Sequence, residues 1–434
     1  MENKKANPRA LALDVLTKCE SGGYSNIALD TIIKRNDLSS ADRGLMTALI
    51  YGVIERKITL DYIISSLSSI PNSKIERDTR NILRMGLYQL RYMQKIPAFA
   101  ALNETVSLAN KRSKGFVNAI LRSYLREGNK IAFPDKNDPV KYLSVHYSIG
   151  ESLAQTLLLS YSFDECKNIL NAFSQIAPIT LRVNNLKGTR DEIFSELNGA
   201  QLTDFSPDGI ILESAAVSEL ECLKDGRVTV QDEASQICIR ALDAKENDLV
   251  LDVCACPGSK SFGAAMAMQN KGKILAFDIH ENKLSLITKG AERLGIDIIE
   301  TQAHDARKPI EELFDKADKI ICDVPCSGFG VISKKPEIRY KDVSESARLP
   351  EIQYDILENV SNYLKVGGTL VYSTCTILPE ENENNIEKFL KNHKSFELVP
   401  FSVGELEVNS GMITLLPHKH HTDGFFIAKL VRNC

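Results

Sequence analysis

Two cysteines stand directly after short apolar runs, in segments whose neighbours could take part in chemistry. Cys326 lies in Asp323-Val-Pro-Cys-Ser-Gly328, and Cys375 lies in Tyr372-Ser-Thr-Cys-Thr-Ile-Leu-Pro-Glu-Glu381. A thiolate is a strong nucleophile, and an acid beside it can protonate or hydrogen-bond a ring nitrogen. Two thiols and Asp323 at the ends of apparent core strands therefore indicate covalent chemistry on an aromatic ring.

A third segment could hold a nucleotide-bearing cofactor. The run Leu249-Val-Leu-Asp-Val253 predicts a strand, and the residues after it predict a tight turn into a helix. Such a turn lets a ligand approach the backbone, and amides at a helix start suit a phosphate or a methionine carboxylate. The turn lacks the three spaced glycines of the dinucleotide fingerprint. With the thiols, it predicts a methyltransferase that uses S-adenosylmethionine, contacted by Cys254, Ala255, Cys256, Pro257, Gly258, Ser259 and Lys260.

Acidic residues follow the strands around this turn. Asp278 comes 20 residues after Gly258, where an acid commonly accepts hydrogen bonds from ribose hydroxyls. Asp305 ends the next strand region and could accept from an adenine amine, and Asp323 lies at the same expected edge. A single Asp after a strand more often begins a turn or caps a helix, but acids at successive strand ends favour a binding site. Asp252, inside its strand, could instead fix the turn through backbone amides.

The expected reaction requires the attacking thiol to be deprotonated. Carbon 5 of cytosine becomes nucleophilic only when a thiolate adds to carbon 6 of the ring. A free thiol with a pKa of about 8.5 is mostly protonated at neutral pH, so a basic neighbour or a helix start must lower that pKa. Lys334, Lys335 and Arg339 follow Cys326 closely in sequence and are candidates for this effect.

Length and charge indicate more than one domain. A chain of 434 residues exceeds what one hydrophobic core usually serves, so two or three domains are expected. Residues 1–130 contain 21 Lys and Arg against 12 Asp and Glu, a balance of +9, whereas the remainder contains 32 against 45, a balance of −13. This asymmetry favours an N-terminal part that binds a polyanion and a C-terminal part that binds small molecules.

The N-terminal third is expected to be helical. Leu45, Leu49 and Val53 recur at helical spacing after the capping candidates Ser39 and Ser40. A later helix, ending before Pro97, is expected to carry a basic stripe that could follow phosphates, formed by Arg77, Arg80, Arg84, Arg91 and Lys95 beside Tyr88. More basic residues follow at Lys111, Arg112, Lys114, Arg122 and Arg126. The alternative for such a stripe is an ordinary solvated face.

The remainder reads as a linker, a small mixed module and an alternating strand and helix pattern. Residues 133–139 are polar with two prolines, and strand signals follow at 179–183 and 209–212, with a helix expected between them at 190–197. Beyond about Gly226, strand candidates alternate with helices at 249–253, 273–277, 297–300, 319–322 and 369–373. That alternation predicts a parallel sheet covered on both faces, with ligands at the carboxyl ends of the strands.

Two parts of the chain resemble known families. Residues 1–130, through Arg9-Ala-Leu-Ala-Leu-Asp-Val-Leu16, Arg43–Val53 and Gly115–Arg122, resemble the helical NusB RNA-binding domain. From about Val228 onward the chain resembles the RNA 5-methylcytosine methyltransferases of the Nop2/Sun family. The residues that carry this second resemblance are Val230–Gln236, Asp252 with Cys254–Lys260, Asp278, Asp305, Asp323–Cys326, Lys334–Tyr340, Ser373–Cys375 and His421–Ala428.

The resemblance implies a fold, a reaction and roles for residues. The implied fold class is α/β: a Rossmann-like S-adenosylmethionine-dependent methyltransferase domain at 226–434, preceded by an all-α NusB-like domain at 1–130 and a small α+β module at 140–225. Cys375 is implied as the nucleophile, Cys326 as the residue that assists product release, and Asp323 as a contact to the base. The domain order implies methylation of a cytosine in small-subunit ribosomal RNA before full assembly, and not of DNA.

The turn departs from the family pattern at three positions. The family usually has Cys-Ala-Ala-Pro-Gly-Gly-Lys-Thr, whereas Cys256, Ser259 and Ser261 replace an Ala, a Gly and a Thr here. Ser259 removes a residue that tolerates positive φ, so the turn is expected to hold the cofactor in a slightly different way.

Three alternatives stand beside this interpretation. Cys254, Cys256, Cys322, Cys326 and Cys375 could bind zinc, but their spacing lacks paired C-x-x-C knuckles, and no metal is expected. Cys326 could be the nucleophile, since DNA cytosine methyltransferases attack with the thiol of a Pro-Cys pair. The chain could also be a noncatalytic RNA-binding or ribosome-assembly factor on a methyltransferase fold.

Location follows from the start of the chain and its thiols. Residues 1–9 have no apolar core region, and the sequence has no uncharged apolar run of membrane-spanning length. Ten cysteines without a secretion signal favour reduced thiols. A cytoplasmic protein that does not bind membranes is expected.

Overall fold

The computed structural model describes residues 7–20, 25–213 and 217–434, so the first six residues of the expected helical domain lie outside it. The chain forms two units. The helical unit contains Met1–Lys167 and Pro336–Lys341, and the sheet unit contains Asn168–Lys335 and Asp342–Cys434. Among the described residues, no helix is long and apolar enough to cross a membrane.

Helices make up the first unit, as the sequence predicts. Their bounds are α1 Pro8–Cys19, α2 Ser25–Arg35, α3 Ser40–Glu55, α4 Lys57–Leu67, α5 Arg77–Tyr92, α6 Ala98–Leu108, α7 Lys114–Glu127, α8 Pro139–Tyr147, α9 Glu151–Ser160 and α10 Phe163–Ala172, the last of which runs on into the sheet unit. Ser39 begins α3 by accepting a hydrogen bond from the amide of Asp42 at 3.1 Å. Leu49 on α3 and Leu83 and Leu87 on α5 are buried in one core, which explains the periodicity in the sequence.

The prediction that Arg84 belongs to an exposed basic stripe on α5 is wrong. Arg84 is 3% exposed. Its guanidinium binds both carboxylate oxygens of Asp61 at 2.6 Å and also contacts Glu20, which in turn pairs with Arg80. Periodicity placed these arginines on one face but could not show that two acids distant in sequence lie against that face. Their charges stabilise the helical unit instead of meeting solvent.

The segment Pro336–Lys341 completes the helical unit, and we call it the strap. The phenolic oxygen of Tyr340 donates to the carbonyl of Ile54 and accepts from the amide of Lys57 at 3.1 Å. Arg339, 2% exposed, donates to the carbonyls of Glu55 and Tyr147 at 3.0 and 3.2 Å. The end of α3 and the start of α4 are therefore held by residues nearly 300 positions later.

The sheet unit begins with a small α+β module. Its elements are β1 Ile179–Val183, α11 Arg190–Glu196, β2 Ala200–Leu202, β3 Gly209–Leu212, α12 Glu221–Lys224 and β4 Val228–Val230. The strands form an antiparallel sheet in the order β2-β3-β1-β4. Leu181, Ile193 and Ile210 are fully buried in its core.

The larger sheet follows. The remaining elements are α13 Glu233–Leu242, β5 Leu249–Asp252, α14 Ser259–Ala267, β6 Lys273–Asp278, α15 Leu284–Leu294, β7 Ile299–Ala303, β8 Ala317–Asp323, α16 Leu349–Ser361, β9 Leu364–Thr374, α17 Glu383–Asn392, β10 Phe396–Leu398, β11 Phe401–Val403, β12 Leu406–Val408, β13 Met412–Leu415, α18 Pro417–His420 and β14 Phe425–Arg432. The strand order is β10-β14-β9-β8-β5-β6-β7, and β13 also pairs with β14.

The α/β fold class is confirmed, but the sheet is mixed and not wholly parallel. Strands β5 to β9 run parallel, whereas β14 is antiparallel to β9, β10 and β13. Side chains alternate between two cores, as a sheet covered on both faces requires. Val250 and Val371 lie in the core that α13, α14 and α15 share, and Leu251 and Leu370 lie in the core with α16 and α17.

Candidate active site

The carboxyl ends of β8 and β9 bring the two predicted thiols together. These strands are neighbours, and Asp323 at the end of β8 is in register with Ser373. Cys326 and Cys375 lie three and two residues beyond this pair. Their Sγ atoms are 3.0 Å apart, and both residues are partly exposed. The two cysteines, 49 residues apart in sequence, therefore meet because β8 and β9 are neighbours.

The pKa values of the two thiols are shifted in opposite directions. The hydrogen bond from Cys326 lowers the pKa of Cys375. Burial and the charge of Asp323 oppose this shift, and the charges of Lys260 and Lys335 support it. The pKa of Cys326 is raised well above its usual value, first by this same hydrogen bond and then by burial. The amide of Cys375 also donates to the Cys326 sulfur at 3.2 Å. A neutral Cys326 that donates to a Cys375 thiolate satisfies both contacts.

Beside the thiols, Lys260 and Asp323 form an ion pair. Nζ of Lys260 donates to Oδ2 of Asp323 at 2.6 Å, and Oγ of Ser373 donates to Oδ1 at 2.7 Å. Burial disfavours the charged lysine, but Asp323, Cys238 and Asp252 together outweigh this effect and raise the pKa of Lys260. The ammonium also lies 5.2 Å from the centre of the Phe425 ring. The Lys260 ammonium therefore provides a fixed positive charge at the carboxyl end of β8, next to the thiol pair.

Asp252 fixes the turn after β5. Oγ of Ser261 donates to its Oδ2 at 2.6 Å, while its Oδ1 is buried without a hydrogen-bond partner. Burial raises the pKa of Asp252 to about 7. Ser261, one of the three departures from the family pattern, supplies the same kind of hydroxyl as the usual Thr, so this contact does not need the extra methyl group.

Gly258 gives the turn its shape. Its φ of 106° lies in the left-handed region, and a Cβ there would meet the Phe262 ring at 2.6 Å. Ser259, in contrast, is the first residue of α14. The positive φ that the family turn needs therefore falls on the retained glycine, and replacement of the following glycine by Ser259 is compatible with the helix start.

Asp278 lies where a ribose acceptor was predicted. Its Oδ2 accepts from the amide of Cys256 at 3.1 Å and its Oδ1 from the amide of His280 at 2.9 Å. Burial, followed by the charge of Asp278, raises the pKa of Cys256 to about 12. A carboxylate oxygen can accept two hydrogen bonds. Asp278 thus ties the β5 turn to the end of β6, also accepts from the Cys256 thiol, and keeps one acceptor site for a ligand.

Asp305 lies two residues beyond the end of β7 and is tied to Arg307. The guanidinium of Arg307 binds both carboxylate oxygens at 2.9 and 2.8 Å, and its amide donates to Oδ1 at 3.1 Å. The hydrogen bonds from Arg307 lower the pKa of Asp305 to about 2. One acceptor site on Oδ2 remains for an amine.

Glu381, for which no role was predicted, holds the start of the thiol loop. We define the thiol loop as residues 326–335. Glu381 is 2% exposed, and its Oε2 accepts from the amide of Ser327 at 2.9 Å and from Gln353 at 2.7 Å. The hydroxyls of Ser327 and Thr376 are also 2.8 Å apart. Glu381 stands in the Cys375 motif, but only the fold shows that it reaches the Cys326 side.

The three basic residues that were candidates for lowering the thiol pKa lie in different parts of the fold. Lys335 contributes to the lowered pKa of Cys375. Lys334 instead binds Asp232 and Asp423, and Arg339 belongs to the strap in the helical unit. Of these three candidates for lowering the pKa of the attacking thiol, only Lys335 acts on Cys375, since closeness in sequence does not fix the direction of a side chain in a loop.

The remaining cysteines do not form a metal centre with these residues. Over the described ranges 7–20, 25–213 and 217–434, no group of three or more His, Cys, Asp or Glu is arranged to hold a metal ion. Cys254 is partly buried, and burial raises the pKa values of Cys254 and Cys322 well above the usual range. Raised pKa values keep these thiols neutral, so they act as small apolar side chains.

Comparison with protein families gives matches along most of the chain. Residues 239–431 match the model for 16S rRNA methyltransferase RsmB/F, residues 6–126 match the NusB family, and residues 151–218 match the RsmF/B-like ferredoxin-like domain.

Curated relatives match over nearly the whole length. The probable ribosomal RNA small subunit methyltransferase B of Bacillus subtilis is 40% identical, with 98% of this chain and 99% of that protein covered. The ribosomal RNA small subunit methyltransferase B of Yersinia enterocolitica is 34% identical, with the same coverage.

Solved structures show the same architecture. The crystal structure of PH0851 has a TM-score of 0.79 at 26% identity and covers 98% of this chain and 99% of its own. A methyltransferase homolog from Pyrococcus horikoshii has a TM-score of 0.55 at 31% identity and covers 64% of this chain and 98% of its own.

Proposed function

Because the chain belongs to the RsmB/F family of 16S ribosomal RNA methyltransferases, we propose that it methylates carbon 5 of a cytosine in small-subunit ribosomal RNA through a covalent Cys375 adduct. One observation carries this proposal: a Cys375 thiol with a lowered pKa lies 3.0 Å from a second thiol and beside the Lys260–Asp323 pair. A noncatalytic RNA-binding protein has no need of a low-pKa thiol at a strand end.

The residues around Gly258 fit S-adenosylmethionine. Gly258 turns the chain into the start of α14, and Asp278 and Asp305 keep acceptor sites for ribose hydroxyls and an adenine amine. We propose that residues 254–260, Asp278, Asp305 and Asp323 surround this cofactor. When bound, it supplies a methyl group activated by a sulfonium sulfur.

The first step that the residues support is addition of Cys375 to the base. The Cys375 thiolate attacks carbon 6 of cytosine, and the electron pair of the carbon 5–carbon 6 double bond moves into the ring. The Lys260 ammonium stabilises the negative charge that develops there, and Asp323 holds that ammonium in place at 2.6 Å. Carbon 5 then has the electron density needed to accept the methyl group.

Release follows from a change in the acidity of Cys326. Its pKa is raised chiefly by the hydrogen bond to Cys375. Once the Cys375 sulfur is bound to carbon 6, it no longer carries negative charge, so the largest cause of the raised pKa is lost and the partly exposed Cys326 can give its proton to water. The Cys326 thiolate then takes the proton from carbon 5. The electron pair of that carbon–hydrogen bond re-forms the carbon 5–carbon 6 double bond as the sulfur–carbon 6 bond breaks, and the electron pair of the broken bond returns to Cys375.

The same family supports a domain division that places RNA binding in the N-terminal part. We propose domains at 1–130, 140–225 and 226–434, with the first binding ribosomal RNA before the subunit is fully assembled, in the cytoplasm. Arg84 and Arg80 are committed to ion pairs, but Lys111, Arg112 and Lys114 are exposed around the start of α7. These residues, with the neighbouring Arg122 and Arg126, are the phosphate contacts that we propose.

Bisulfite sequencing tests the reaction. Small-subunit ribosomal RNA incubated with the protein and S-adenosylmethionine should gain a cytosine that resists conversion, because methylation at carbon 5 slows bisulfite addition. Methyl transfer to RNA without a resistant cytosine would place the methyl group on a different atom and overturn the carbon 5 proposal.

Cofactor binding is expected to depend on Asp278. Replacing Asp278 by Ala should weaken S-adenosylmethionine binding by about 10- to 100-fold, since hydrogen bonds to a charged group contribute about 1.5–3 kcal/mol. Isothermal titration calorimetry measures this change. Asp297→Ala is the matched control, because Asp297 is an exposed acid that precedes β7 at the opposite edge of the sheet. Equal affinities for the two variants would exclude a ribose contact by Asp278.

RNA affinity is expected to depend on the basic residues near α7. Replacing Lys111, Arg112 and Lys114 by Ala should lower RNA affinity and reduce the slope of log K against log salt by about 2, since each contact to a single strand contributes about 0.7. Filter binding over a salt series measures the slope. The matched control replaces three exposed lysines, Lys388 and Lys391 on α17 and Lys394 just after it.

Point substitutions are preferable here to removal of residues 1–130. The strap depends on the end of α3 and the start of α4 for its hydrogen bonds, so a truncated chain would lose more than RNA contacts. An unchanged slope in the triple variant would assign these lysines and Arg112 a role other than phosphate binding.

A further inference from the structure

The thiol loop carries one of the two site cysteines but contains no helix or strand. Its start is held by the buried Glu381 through the amide of Ser327 at 2.9 Å. A loop of this kind places its side chains reproducibly only if further contacts hold the rest of it.

The middle of the loop is held by backbone hydrogen bonds to two other segments. The amide of Gly330 donates to the carbonyl of Cys375 at 2.9 Å, and the amide of Gly424 donates to the carbonyl of Gly330 at 2.8 Å. A Cβ on Gly330 would come within 1.8 Å of the Gly424 carbonyl oxygen. The loop thus lies against the backbone of Cys375 on one side and against the segment before β14 on the other.

The far end of the loop is held by a charged clamp, formed by Lys334, Asp232 and Asp423. Nζ of Lys334 contacts Oδ2 of both carboxylates, at 2.5 Å for Asp232 and 2.7 Å for Asp423. The carboxylate side chains are 14% and 9% exposed, and the lysine is 32% exposed. An ion pair protected from solvent to this degree constrains geometry more than an exposed pair does.

The clamp joins three parts of the fold. Asp232 caps α13 by accepting from the amide of Ala234 at 3.0 Å, and it also accepts from the amide of Asp423 at 3.2 Å. Asp423 directly precedes Gly424, which contacts the middle of the loop. Burial and the nearby Asp232 raise the pKa of Asp423 to about 7, while the two carboxylates together raise the pKa of Lys334. The lysine charge is what allows the two acids to lie side by side.

We propose that Lys334 is a positioning residue that holds the thiol loop so that Cys326 stays within reach of Cys375. It does not contact the base. This inference rests on the proposed methylation, and it concerns the release step, since Cys326 acts there. Loosening the far end of the loop should let Cys326 move away from the adduct while Cys375, fixed at the end of β9, still attacks.

The test uses Lys334→Met, which keeps the aliphatic stem and removes the charge. We expect the full-length variant to accumulate a covalent RNA adduct on a denaturing gel and to turn over about tenfold more slowly or worse, because a small misplacement of a reacting group has large kinetic cost. Binding of S-adenosylmethionine should be unchanged. Lys334→Arg, which restores a positive charge, should lower the adduct level toward that of the wild type.

Lys365→Met is the matched control, because Lys365 also pairs with a carboxylate, Asp318, at 2.7 Å but lies at the start of β9. Wild-type turnover and no adduct in Lys334→Met would overturn the inference. Slower turnover without an adduct would also overturn it, since that result means a general loss of structure or of attack. A wild-type protein that methylates no RNA would instead contradict the proposed function itself.

Discussion

Replacing Cys375 by Ala is expected to abolish both methyl transfer and the covalent RNA adduct, whereas replacing Cys326 by Ala should leave an adduct that cannot be released. The Cys375 pKa is lowered, and its sulfur lies where Lys260 and Lys335 favour the thiolate. Without it no sulfur adds to carbon 6. Without Cys326, Cys375 loses the hydrogen bond that lowers its pKa, so attack and methyl transfer should be slower but still occur. The proton on carbon 5 then has no thiolate to accept it.

A denaturing gel with labelled RNA separates the two variants, because only Cys326→Ala should give a slowly migrating protein–RNA species. Cys434→Ala, which removes an exposed thiol at the end of the chain, should behave as the wild type. The reverse pattern would make Cys326 the nucleophile. Absence of an adduct in both variants, with an active wild type, would exclude covalent catalysis.

Replacing Lys260 by Met should lower the rate of methyl transfer by about 100- to 1,000-fold, the usual cost of removing a charge that stabilises a developing anion. Lys260 is 9% exposed at its side chain and donates to Asp323 at 2.6 Å, so no other cation can easily take its place. We expect the Kd for S-adenosylmethionine to change much less than the rate. Single-turnover kinetics with radiolabelled cofactor measure the effect.

The double variant Lys260→Met with Asp323→Asn separates two roles of the lysine. If Lys260 only neutralises Asp323, removal of both charges should restore most of the rate. We expect no such recovery, because the ammonium acts on the ring. Asp323 is 28% exposed at its side chain, so the single Lys260→Met variant leaves a carboxylate that water can reach and should still fold.

The sequence predicted the centre of the sheet and the meeting of the thiols well. Each predicted strand from 249–253 to 369–373 corresponds to one of β5 to β9 with ends shifted by a few residues. The inner parallel strands are apolar runs because both of their faces are buried, whereas β7 is an edge strand with exposed residues. Parallel strands end at one edge, so Cys326 and Cys375 had to approach each other once β8 and β9 were neighbours. The assignment of their roles stays a prediction.

What the sequence could not give were contacts between residues far apart in the chain. The antiparallel strands β10 and β13 are only three and four residues long, and the pairing of β14 depends on the return of the chain to β9. Arg84 looked exposed because its partners Glu20 and Asp61 lie on other helices. Lys334 looked like a neighbour of Cys326, and its true partners are about 90 and 100 residues away in sequence.

The strap has a consequence for how the protein emerges from the ribosome. Domains generally fold in the order in which they are synthesised, but the helical unit here is incomplete until Lys341 has left the exit tunnel. Until then, the backbone carbonyls of Ile54 and Glu55 lack the Tyr340 and Arg339 donors that they have in the finished protein. The helical unit therefore cannot form all of its hydrogen bonds until most of the second unit has been translated. Both units should complete folding at nearly the same time.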